Sequence, residues 1–167
     1  MLVIANTTPL ILLAKRGLFP LLQYFYGKIC LPSAVWREVV DEGEGRAGAR
    51  ETEAAWSTGW IEVLQLQDPK VAQQLRATLG LGTGESEVIA LARELSADLL
   101  LLDDDHAVRR ARELGFVVRR TPGLLALAKE QGHITTVKEH LAALQAEGLW
   151  LSPQVYHRIL QDVGEKP

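Results

Sequence analysis

Five short, mostly apolar runs constrain this chain more than any other feature. They are Leu2 to Ala5, Lys28 to Leu31, Trp60 to Leu66, Leu99 to Leu102 and Phe116 to Val118. Each is too short for a core helix, and a stretch with helical patterning separates each from the next. Strands that alternate with helices predict a parallel sheet covered on both faces, because parallel neighbours are joined by crossovers that are usually helical. The run Leu99 to Leu102 is apolar at every position, as a strand buried on both sides requires. The fold class read from this pattern is α/β.

Caps and breakers place the helices between the strands. Pro9 suits a first helical turn, where its missing N–H is not needed, and Gly17 can stop that helix. A second short helix spans Leu18 to Phe25. Ser33 is placed to cap a helix from Ala34 to Val40. The glycine- and acid-rich stretch 41–48 reads as a loop, and Ala49 to Ser57 as a helix. Asp68-Pro69 starts a helix that ends before Gly80. Gly80-Leu81-Gly82-Thr83-Gly84 reads as a loop that opens a long helix ending at Ser96. Ala107 to Leu114 is a helix closed by Gly115, and Thr121-Pro122 begins one that Gly132 stops. Thr136 with Glu139 matches a capping box for the next, which Gly148 closes, and Ser152-Pro153 starts the last. One domain is expected, with an α/β core over 1–132 and a helical appendage over 133–167.

Composition narrows the class further. The chain has 167 residues, 47% hydrophobic, enough for a core that needs no staples. Its net charge of −3 excludes an overall basic nucleic-acid binder, though not a local basic patch. The single cysteine, Cys30, excludes an intrachain disulfide and a multi-cysteine zinc site. The run Leu10 to Ala14 is too short to target or span a membrane, so a cytoplasmic protein is expected.

In open parallel sheets, ligands collect beyond the carboxyl ends of the strands, where strand order reverses. Asn6 follows the first strand. Asp103, Asp104 and Asp105 follow the fourth. Glu85 and Glu87 open the long helix before it, and Glu38 lies in the helix after the second strand. Such carboxylates suit Mg²⁺ or Mn²⁺, which prefer oxygen ligands and keep several waters. Divalent ions held this way activate water against phosphodiesters. Each residue also has a plain structural reading. An aspartate after a strand caps the next helix, glutamates in a first turn complement the helix dipole, and a mid-helix glutamate is solvated.

A basic segment adjoins the aspartates. Arg109, Arg110, Arg112, Arg119 and Arg120 are opposed only by Glu113. Arginines hold phosphates, so this segment is a candidate for binding a phosphodiester; a solvated helix face is the alternative. The glycine-rich loop follows a helix and lacks the spacing of a dinucleotide or phosphate loop. The four histidines show no metal-ligand spacing and read as surface or capping residues. Cys30 lies in an apolar strand and reads as buried and inert.

Five motifs in order resemble the PIN-domain superfamily, in particular a prokaryotic PIN-like group related to VapC toxins. They are Ile4-Ala5-Asn6-Thr7-Thr8-Pro9-Leu10-Ile11; Leu31-Pro32 with Val35-Trp36-Arg37-Glu38-Val39; Gly84-Glu85-Ser86-Glu87-Val88-Ile89-Ala90-Leu91-Ala92; Leu101-Leu102-Asp103-Asp104; and Gly123-Leu124-Leu125 with Ala128-Lys129. The resemblance implies a three-layer α/β/α sandwich with a mainly parallel five-stranded sheet. It also implies metal-dependent cleavage of single-stranded RNA, with Mg²⁺ or Mn²⁺ held by acidic residues. The motif positions fall on Asn6, Glu38, Glu85 (or Glu87) and Asp104, with Asp103 beside it. VapC-like members are toxins held by a small antitoxin, and they often form homodimers. The chain departs from the pattern at the first position, where active members carry aspartate and this chain has Asn6. An amide oxygen ligates a cation without contributing charge, so metal binding there should be weaker.

Overall fold

The computed structural model describes residues 1–167 and divides them into two compact units, Met1–Arg119 and Arg120–Pro167. The first unit holds five strands: β1 (Val3–Ala5), β2 (Ile29–Pro32), β3 (Ile61–Leu64), β4 (Leu99–Leu101) and β5 (Val118–Arg119). All four neighbouring pairs are parallel, so the sheet is wholly rather than mainly parallel, in the order β3-β2-β1-β4-β5. Every residue of β1, β2 and β4 is buried, as in a sheet covered on both faces. The architecture is the α/β/α sandwich. Ile4, Ile29, Leu31, Leu100 and Leu101 are fully buried, and each such side chain contributes about 1.5–3 kcal/mol.

The helices of this unit are α1 (Thr7–Lys15), α2 (Pro20–Tyr26), α3 (Ser33–Trp36), α4 (Ala49–Ser57), α5 (Pro69–Leu79), α6 (Thr83–Leu95) and α7 (Asp105–Glu113). The helix expected over Ala34 to Val40 is split. After α3 the chain widens into a π-helical turn, Arg37–Asp41, closed by the Glu42 N–H donating to the Arg37 carbonyl at 2.8 Å. Ser33 lies inside α3 and does not cap it; Pro32 stands at the cap position, and the Glu87 carboxylate accepts the Ala34 N–H at 2.8 Å. Asp68 does cap α5, accepting the Lys70 N–H at 3.0 Å. Gly80 ends that helix in a left-handed conformation, φ +65°, which L side chains rarely adopt.

The second unit holds α8 (Thr121–Glu130), α9 (Val137–Ala146) and α10 (Pro153–Asp162). Thr136 stands at the cap of α9, but the capping box with Glu139 does not form. Glu165, far along the chain, accepts from the Val137 and Lys138 N–H groups at 2.6 and 2.8 Å and from the Thr136 hydroxyl at 3.1 Å. The Lys129 ammonium completes the cluster at 2.8 Å. Partial burial acts to raise the pKa of Glu165. The Lys129 ammonium, the two N–H groups and the hydroxyl outweigh it and bring the value to about 2. No helix in the chain is long and apolar enough to cross a membrane.

Candidate functional site

The strand order fixes where the sheet opens. From β1 the chain steps outward to β2 and β3, then returns to the other side of β1 as β4. The reversal falls between β1 and β4, and a crevice is expected at their carboxyl ends. Ala5 pairs with Leu101 in register, and the Asn6 N–H donates to the Leu101 carbonyl at 2.9 Å. The backbone therefore brings Asn6 to the end of β4, just before Asp103.

Asn6 is 4% exposed, and its Oδ1 has no hydrogen-bond donor. A buried carbonyl oxygen without a partner is costly and calls for an explanation. Its surroundings supply one. A Cβ placed on Gly84 would stand 2.9 Å from Asn6 Oδ1 and 3.5 Å from Glu38 Oε2. Glycine at 84, in the first turn of α6, thus leaves space where an amide oxygen and a carboxylate oxygen converge. The Thr7 hydroxyl donates to the same Glu38 oxygen at 2.9 Å and orients it. Two oxygen donors facing a small space fit a hard divalent cation that keeps several waters.

A cleft of about 400 Å³ extends from this point. Its walls include Glu38, Glu42 and Glu85, with Arg37 beside them. The π-helical turn carries Arg37 and Glu38; such turns recur at functional sites. Glu85 is the third residue of α6, and its Oε2 folds back to where a Cβ of Gly82 would stand. That posture also suits an acid in a helix's first turn. Glu87 is committed elsewhere, to the Ala34 N–H, which separates the roles of the two glutamates.

The aspartates after β4 differ from one another. Asp103 is 5% exposed, buried at the strand end. Asp104 caps α7, its Oδ1 accepting the Ala107 N–H at 2.8 Å. No three His, Cys, Asp or Glu side chains stand close enough to form one metal-binding group. The structure thus brings Glu38 and Glu85 to the cleft wall, with the buried Asn6 Oδ1 close to Gly84, without closing a ring of carboxylates around one point.

The basic segment is engaged within the fold. Arg110 pairs with Glu113 at 2.8 Å, and Arg119 donates to the Tyr26 hydroxyl at 3.0 Å. Arg109 donates to His106 Nδ1 at 3.3 Å. The other ring nitrogen of His106, Nε2, must then donate to the Leu79 carbonyl, 2.6 Å away. Arg112 is exposed on α7, and Arg120 opens the second unit. Of Arg109, Arg110, Arg112 and Arg119, none lines the cleft. Cys30 is buried as expected; burial, with Glu62 nearby, raises its thiol pKa.

Sequence reasoning missed Arg37 and Glu42 as cleft residues. Spacing gave no sign of them, because the π turn changes which residues share a helix face. The adjacency of Arg37 to Glu38 was the one available signal.

An open parallel α/β/α unit with polar side chains near the point where strand order reverses is a fold that takes its ligands there. The chain belongs to the PIN domain family: residues 2–165 match the DUF3368 family, described as a PIN domain. No curated protein matches it.

Proposed function

We propose that this protein is a metal-dependent endoribonuclease of the PIN type that hydrolyses phosphodiesters in single-stranded RNA. The observation that carries this reading is the buried, unsatisfied Asn6 Oδ1, which with Glu38 Oε2 borders the space a Cβ on Gly84 would fill. Asn6 and Glu38 would hold Mg²⁺ or Mn²⁺, with Glu85, Asp103 and Asp104 supplying further oxygens directly or through water. When bound, such an ion supplies Lewis-acid stabilisation of the phosphoryl charge and makes a nucleophile available from water near neutral pH. Thr7 fixes the Glu38 carboxylate. The arginines Arg109, Arg110, Arg112, Arg119 and Arg120 would attract RNA at longer range. A small antitoxin-like partner and a homodimer in the cytoplasm complete the reading. The exposed Trp56 and Trp150, at 51% and 69%, give such partners apolar surface.

The test is Mn²⁺ binding followed by electron paramagnetic resonance, paired with cleavage of a labelled single-stranded RNA. Binding and cleavage that are both weakened in Asn6→Ala support the reading.

A second reading is a catalytically impaired PIN module that binds RNA or a protein. The neutral Asn6 favours it, as does the lack of three carboxylates close enough to share one metal ion. Folded protein that binds RNA but cleaves none, with either ion, would select it.

A further inference from the structure

We propose that Arg37 is a positioning residue that holds a substrate phosphate in the acidic cleft, an inference that rests on the nuclease reading above. Three carboxylates, Glu38, Glu42 and Glu85, line that cleft, and Arg37 is the only basic residue among its walls. A phosphodiester is itself an anion, so these carboxylates repel it unless cations intervene. A divalent ion held by Glu38 and its neighbours would offset the charge of the scissile phosphate. A second phosphate along the strand needs a cation supplied by the chain. Arg37 is exposed, and its position one residue before Glu38 in the π-helical turn ties it to the cleft. The alternatives in the first unit are less suited. Arg110 and Arg119 are held by Glu113 and Tyr26, and neither lines the cleft. A guanidinium suits the task because its planar fork binds two phosphate oxygens at once, which an ammonium cannot match.

The experiment measures binding of a short single-stranded RNA across a salt titration with Ca²⁺ in place of Mg²⁺, an ion that keeps oxygen coordination but activates water poorly. Cleavage of the same RNA in Mg²⁺ is measured in parallel. The proteins are wild type, Arg37→Gln, Arg37→Lys and Arg93→Gln, the last an exposed arginine in the final turn of α6. Circular dichroism checks that each is folded. In Arg37→Gln the slope of log affinity against log salt should fall by about 0.7, the value for one phosphate contact on a single strand. KM should rise more than kcat falls. Arg37→Lys should restore the slope without restoring full affinity, and Arg93→Gln should match wild type. An unchanged slope and KM in Arg37→Gln, with wild type binding and cleaving, overturns the proposal and leaves the nuclease reading intact. Wild type that neither binds nor cleaves overturns both.

Discussion

At Gly84 a single hydrogen in place of a methyl group leaves space beside two oxygens, Asn6 Oδ1 and Glu38 Oε2. Gly84→Ala would set a Cβ 2.9 Å from Asn6 Oδ1, so the amide and the Glu38 carboxylate must move apart. Alanine's better helix propensity offsets part of the cost of that shift, so the loss of stability should stay within about 1 kcal/mol. Cleavage should nevertheless fall at least about tenfold, the cost of roughly 1.4 kcal/mol of lost transition-state stabilisation. Steady-state rates beside thermal unfolding of the same samples separate the two effects. Asp104→Asn makes the complementary case. Asparagine caps helices about as well as aspartate, so α7 should persist with a stability change under about 0.5 kcal/mol while cleavage is lost. Retained cleavage would assign Asp104 to capping alone. Strand ends and motif order point to Asn6, Glu38, Glu85, Asp103 and Asp104 as candidates, and that is as far as the sequence reaches. The orphaned state of Asn6 Oδ1 and the cradle at Gly84 depend on side chains from three elements meeting, and no spacing along the chain reports that.

Elements were legible where their ends carry local chemistry. Asp68-Pro69 and Gly80 bracket α5 as expected, because both caps act within a few residues. The π turn at Arg37–Asp41 was not legible, since the sequence patterning there also suits an α-helix. The cap of α9 was misread for a different reason: Thr136 and Glu139 have the right spacing, but Glu165 competes from far along the chain and wins with four partners. Glu165→Gln should therefore destabilise the second unit by about 2 kcal/mol, as expected for charge-assisted hydrogen bonds, in a denaturant titration. The pH dependence has a definite sign. The folded value of about 2 lies below the ordinary 4.5, so the carboxylate stabilises the unit fully above about 4.5. That contribution is lost as pH falls through the window from about 4.5 to 2, and Glu165→Gln should flatten this part of the stability curve. One helix end carries a small strain. Ser96 closes α6 at φ +53°, a conformation in which glycine is easier. Ser96→Gly should raise unfolding stability by about 0.5–1 kcal/mol.

Across the whole molecule, strand order does the most to locate function. A sheet ordered β3-β2-β1-β4-β5 has its reversal beside β1, and that is where Asn6, buried Asp103 and the space at Gly84 lie. The alternation of strands and helices made the fold class and the five strands readable, since burial on both faces imposes continuous apolar runs. The central claim is that the cleft beside Asn6 and Glu38 cleaves RNA with a divalent ion. The most direct measurement is cleavage of a labelled single-stranded RNA in Mg²⁺ or Mn²⁺, with an EDTA control and with Glu38→Gln beside wild type. The account predicts cleavage by wild type, none in EDTA, and a loss of at least about a hundredfold in Glu38→Gln, roughly 2.7 kcal/mol at the transition state. Folded wild type that cleaves with neither ion, or Glu38→Gln that cleaves as wild type does, would contradict it.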